Sequence, residues 1–167
     1  MKKLLLLAGM VAAIFNQPLY SQDAVASSSL SPILVSYYQV KDALIAGDAN
    51  VAATKAGEML KAINDVDMKK MPAKEHSVFM PLQSKLAFDA RHISEKKVLG
   101  HQREHFAALS SNMYSLAKAV NLSPTPVYKD YCPMQKAYWL SADQAIRNPY
   151  YGDAMLTCGK VSETITH

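Results

Sequence analysis

The sequence holds six glycines in 167 residues, and none belongs to a phosphate-cradling run. Neither a P-loop nor a dinucleotide fingerprint can be built without such a run. There is no G-x-S-x-G nucleophile elbow and no C-x-x-C pair. These absences argue against several common hydrolase, redox and nucleotide-binding classes. The acidic residues are dispersed, so spacing identifies no facing pair of carboxylates. Basic residues exceed acidic ones only modestly, 18 against 14, and they are scattered. No basic stripe interleaved with aromatics suggests a nucleic-acid surface.

Long apolar runs are also missing. The longest, Leu4 to Phe15, is too short to span a bilayer. It follows the basic pair Lys2-Lys3 and precedes Ala24-Val25-Ala26, which suits an A-x-A cleavage rule. Residues 1–26 therefore read as a secretory signal peptide, and 27–167 as a single helical domain. A periplasmic or secreted location follows, with no membrane span after cleavage. A cut after residue 26 removes Lys2, Lys3 and Asp23, leaving an excess of three positive charges. The remaining chain is long enough to bury one hydrophobic core.

Four helices are predicted. Ser31-Pro32 reads as a cap followed by proline at the first helical position, opening a helix to Ala46 with Ile33, Tyr37, Val40 and Leu44 on one face. Asp48 caps a second, Ala49 to Ile63, with Ala52, Ala56, Met59 and Ile63 facing inward. The third, Ala73 to Ser94, presents Phe79, Leu82, Leu86, Ala90 and Ile93, and Pro81 is expected to kink or divide it. The fourth, His101 to Val120, carries Phe106, Leu109, Met113, Leu116 and Val120 at steps of three and four. Short connections predict an all-α fold, an antiparallel four-helix bundle. Beyond Ser123-Pro124-Thr125-Pro126, an irregular C-terminal capping segment is expected, with Val127 to Tyr131 extended and a short helix from Ser141 through Ile146.

That segment holds both cysteines and the only tryptophan. Cys132 and Met134 lie two apart, Met155 and Cys158 three apart. If a turn brings the pairs together, thiolates and thioethers would favour a soft ion such as Cu(I). A Cys132–Cys158 disulfide is the competing use in an exported protein. Closing that loop would stabilise the fold by roughly 3 kcal/mol.

Histidines form a second cluster. His101 and His105 are one helical turn apart on one face. His92, near the end of the preceding helix, is expected at the same end of the bundle. His101-Gln102-Arg103-Glu104-His105 also matches H-x-x-E-H, the pattern of inverted zinc proteases. Three fixed positions are a weak pattern, and no distant carboxylate stands out as a third ligand.

Cys-Pro-Met at 132–134, Trp-Leu-Ser at 139–141, Asn-Pro-Tyr-Tyr-Gly at 148–152 and Met-Leu-Thr-Cys-Gly at 155–159 resemble the DUF3347 family, as do His92-Ile93, His-Gln-Arg-Glu-His-Phe at 101–106 and Leu109-Ser110. The resemblance covers nearly the whole mature chain. One departure is the short link Gln135 to Tyr138, where the family often carries a longer glycine-rich insertion. Such domains occur in exported bacterial proteins and at the C-terminus of periplasmic adaptor subunits of copper and silver efflux pumps. The resemblance implies metal handling, with copper as the ion and His92, His101, His105, Cys132, Met134, Met155 and Cys158 as candidate ligands. The expected function is a non-enzymatic periplasmic soft-metal protein in homeostasis or efflux, partnered by an efflux adaptor or another envelope protein. The alternative is a disulfide-stapled helical module that binds an envelope protein.

Overall fold

A computed structural model describes residues 28–167. The expected signal peptide lies outside the described residues. Four α-helices come first: α1 Ser31–Ile45, α2 Ala49–Asn64, α3 Ala73–Glu95 and α4 Leu99–Ala119. Each packs against the next, and α1 also touches α4. The apolar stripes form a single core. Ile33, Tyr37, Val40, Ala52, Met59, Phe79, Leu86, Ile93, Phe106, Leu109 and Met113 are all sealed within it. The Tyr37 and Phe106 rings stack at 5.2 Å, joining α1 to α4.

The helix signals act as their chemistry requires at some ends and not at others. Asp48 caps α2, its Oδ1 accepting from the backbone N–H of Asn50 and Val51 at 2.9 Å each. Ser31 does not cap α1. It is the first helical residue, and its hydroxyl donates instead to the Leu122 carbonyl at 2.8 Å, tying the start of α1 to the exit of α4. Pro81 does not divide α3, which runs through it without a break. Pro81 is exposed, so the carbonyl it leaves unpaired can be hydrated.

The all-α expectation is corrected beyond residue 126. The C-terminal segment is not irregular: it forms β1 Val127–Cys132, β2 Ala137–Ser141 and β3 Lys160–Ile165, an antiparallel sheet with β1 in the centre. A 3-10 turn, η1, covers Gly152–Met155, and the helix expected from Ser141 through Ile146 is absent. These strands have five or six residues. The β1–β3 pairing joins Val127 to Ile165 across most of the segment. Local periodicity cannot show such a partner.

The sheet docks through β2 against α4. The Leu140 N–H donates to the Tyr37 hydroxyl at 3.0 Å, and that hydroxyl also bonds Ser110 at 2.7 Å. Trp139 is buried beside Tyr150. Arg103 of α4 anchors the loop before η1, donating to the carbonyls of Pro149 at 2.9 Å and Leu44 at 3.1 Å. Gly152 stands here at φ 55°, where a Cβ would lie 2.8 Å from the Ile45 carbonyl oxygen. Only glycine tolerates both the left-handed backbone and the contact.

Candidate metal centre

The corner between α3 and α4 gathers three histidines. His92 lies in the last turn of α3, and His101 and His105 lie one turn apart near the start of α4. A three-residue link separates the helices. Gln102, fully buried between the two histidines, locks the corner. Its Nε2 donates to the Ile93 carbonyl at 3.1 Å and to the Ala49 carbonyl at 2.9 Å, holding α4 to the end of α3 and the start of α2.

One ring nitrogen from each of His92, His101 and His105 lies within 4.8 Å of the others. Among the described residues, this is the group of three or more histidine, cysteine or carboxylate donors close enough to share one ion. Tetrahedral nitrogen donors at roughly 2.0–2.1 Å from an ion stand about 3.3 Å apart, well inside that limit. His101 Nε2 is buried and has no hydrogen-bond partner. A buried acceptor or donor left unpaired costs about 1–3 kcal/mol, which an ion or a proton-bearing partner would relieve. His105 Nδ1 lies 3.0 Å from Asp89 Oδ1. When Nδ1 carries the proton it donates to the carboxylate, leaving Nε2 with a free lone pair. Burial pushes the Asp89 carboxyl up, while the His105 hydrogen bond and the charges of His105 and His92 oppose it.

The rings are gathered but do not converge. His92 and His105 stack at 4.5 Å with planes only 12° apart. Imidazole lone pairs lie in the ring plane, so a shared ion requires one ring to turn. Phe88, half exposed, packs on His92 at 4.3 Å and borders His105 at 5.8 Å.

The sulfur residues occupy a different place. Cys132 ends β1 and is buried. Its Sγ accepts from Asn148 Nδ2 at 3.1 Å and from the Gln135 N–H at 3.4 Å. Cys158 is half buried and is not bonded to Cys132, although the two are neighbours: the Asn148 Nδ2 that reaches Cys132 Sγ also donates to the Cys158 carbonyl at 2.7 Å. Burial, then the neighbouring Cys132, pushes the Cys158 thiol up. Met134 is exposed in the turn between β1 and β2, and Met155 ends η1 half-buried. Neither cysteine joins the histidine donors. The reason lies in α4 itself. Arg103, which holds the loop before η1, is two residues from both His101 and His105, about 200° around the helix from each. The C-terminal segment therefore docks on the other side of α4. Glu104, the acidic position of the H-x-x-E-H match, is exposed and outside the donor group.

Sequence reasoning missed Asp89, Phe88 and Gln102. Asp89 carried a signal, since it stands three residues before His92 on the same helical face. Gln102 and Phe88 carried none that separates them from solvated positions.

A helix-dominated domain with a three-histidine donor cluster at one helix corner is thus defined. The chain belongs to the family described as "Protein of unknown function (DUF3347)", whose model matches residues 33–125. The match takes in the three histidines and ends before β1, so the Cys-Pro-Met, Trp-Leu-Ser, Asn-Pro-Tyr-Tyr-Gly and Met-Leu-Thr-Cys-Gly motifs lie beyond it. No curated protein and no solved structure matches the chain.

Proposed function

We propose that this chain is an exported metal-binding protein that holds copper on His92, His101 and His105 and buffers or delivers it without catalysis. The mutual approach of the three ring nitrogens to within 4.8 Å carries the reading. The unpaired, buried Nε2 of His101 and the Asp89 carboxylate behind His105 support it. Imidazole suits copper, zinc and nickel alike, and among divalent ions Cu(II) binds a given nitrogen set most tightly. With three protein donors, one coordination position stays open for a water or a ligand from an acceptor. Copper, bound there, would exchange with an envelope partner such as an efflux adaptor. The basic, apolar start of the chain is the basis for placing that exchange in the periplasm or outside the cell.

Titration of the purified protein with copper and with zinc, against a chelator of known affinity, tests this. Binding of one ion tighter than about micromolar, or roughly 8 kcal/mol, is expected. It should be lost in a protein carrying His101→Ala and His105→Ala together. Weaker binding, or affinity unchanged by the double substitution, overturns the reading.

A further inference from the structure

We propose that Cys132 and Cys158 form a reversible thiol–disulfide exchange site that reacts with low-molecular-weight disulfides. The pair is separate from the histidine cluster and independent of its role. Three observations carry the proposal.

First, the fold brings the two cysteines together. Tyr131 pairs with Lys160 in the β1–β3 ladder, so Cys132 and Cys158 sit on adjoining strand ends, close enough for one Asn148 amide nitrogen to reach both residues. Gly159 makes this approach possible. A Cβ there would lie 2.8 Å from the Trp139 ring and 3.0 Å from the Tyr131 carbonyl oxygen. Its φ of 153° adds a backbone conformation that other residues rarely adopt.

Second, the reduced state has its own hydrogen-bonded setting. Asn148 is fully buried, and its Nδ2 donates both to Cys132 Sγ at 3.1 Å and to the Cys158 carbonyl at 2.7 Å. The Gln135 N–H adds a second donor to the same sulfur. The loop between the cysteines is therefore held at its base without a covalent bond, and opening a disulfide here leaves the buried Cys132 sulfur paired.

Third, the two thiols differ in access. Cys132 is sealed, while Cys158 keeps partial access to solvent. That asymmetry sets the order of events. The Cys158 thiolate, having lost its proton to solvent, attacks one sulfur of the external disulfide. This breaks the external S–S bond and expels one small thiolate. The resulting mixed disulfide is then attacked by the Cys132 thiolate at the Cys158 sulfur. The Cys132–Cys158 bond forms, the second small thiolate leaves, and both expelled thiolates take up protons. One external disulfide is reduced to two thiols as the protein dithiol is oxidised. Exposed disulfides with a stable reduced partner state are the labile ones.

The test equilibrates the full chain in oxidised and reduced glutathione with a metal chelator present, then traps free thiols with a maleimide and weighs the protein. Oxidised glutathione should remove both reactive thiols together and yield a protein lighter by two hydrogens. Excess reduced glutathione should restore both. Cys132→Ser should accumulate the mixed glutathione disulfide on Cys158, and Cys158→Ser should remain unmodified. The wild-type arm stands alone if either variant fails to fold. Failure to form the internal bond overturns the proposal. So does a bond that excess reduced glutathione leaves intact, which would mark a permanent structural disulfide.

Discussion

His105 Nδ1 sits 3.0 Å from Oδ1 of Asp89, a carboxylate 16 residues earlier that is almost fully buried between α3 and α4. A buried carboxylate behind a histidine orients the ring and raises the basicity of its other nitrogen. Asp89→Asn keeps the shape and removes the charge. The expected outcome is a loss of roughly 10–100-fold in metal affinity, with an unchanged far-ultraviolet circular dichroism spectrum. Chelator competition measures the first and the spectrum controls for the second.

The parallel stack of His92 on His105 predicts a movement. An ion shared by both requires one ring to leave the stack, and Phe88 rests on the His92 face. Adding metal should therefore shift the aromatic carbon and proton resonances of Phe88 by NMR, while those of the distant Trp139 stay in place. A Phe88 ring indifferent to bound metal would contradict this arrangement.

Asp130 predicts an unusual pH dependence. It is fully buried in β1, and neither carboxylate oxygen has a hydrogen-bond partner. Burial pushes it up to about 7, against the pull of the nearly buried Lys41, which itself pairs with Asp42 at 2.9 Å. An unfolded aspartate titrates near 4. Between about pH 4 and pH 7 the unfolded chain therefore releases this proton while the folded chain keeps it. Its contribution to stability is full below about pH 4, falls as pH rises to 7, and is flat above. Asp130→Asn should match the wild type in urea midpoint near pH 4. Near pH 8 it should be more stable by on the order of 1–4 kcal/mol.

Gln102 predicts a cost far larger than its place in an apparently amphipathic stretch suggests. Gln102→Ala strips donors from two carbonyls at the junction of three helices. A loss of about 2–4 kcal/mol is expected, read as a lower urea midpoint. Gln102→Glu should fail to restore it, since an ionised carboxylate cannot donate.

The helices were legible because their burial repeats locally. Phe106, Leu109, Met113 and Leu116 face the core at the steps their spacing predicts. The turn from α3 to α4 was legible too, and with it the meeting of His92 with His101 and His105. The strands were legible only in part: Val127 to Tyr131 was expected to be extended and lies in β1, but its partners and the other two strands were not legible. Val127 to Cys132 carries no clean alternation: its burial runs buried, half-buried, half-buried, buried, half-buried, buried, and a bulge falls between Lys129 and Asp130. Asp130, a charged residue within this strand, is sealed. The sulfur residues looked like partners of the histidines because nothing in their spacing reports the side of α4 on which they dock.

Spacing along the chain determined which residues line each helix, since a helical face repeats every three or four positions whatever surrounds it. It also determined that three imidazoles would share one corner, because a short link leaves adjacent helices little choice. Tertiary structure alone decided that the cysteines face each other rather than the histidines. That outcome rests on Arg103 gripping the loop before η1 from the opposite side of α4, and on β3 pairing with β1 across the whole C-terminal segment. Both contacts join residues dozens of positions apart, and no local pattern encodes which of many polar and extended segments will find each other.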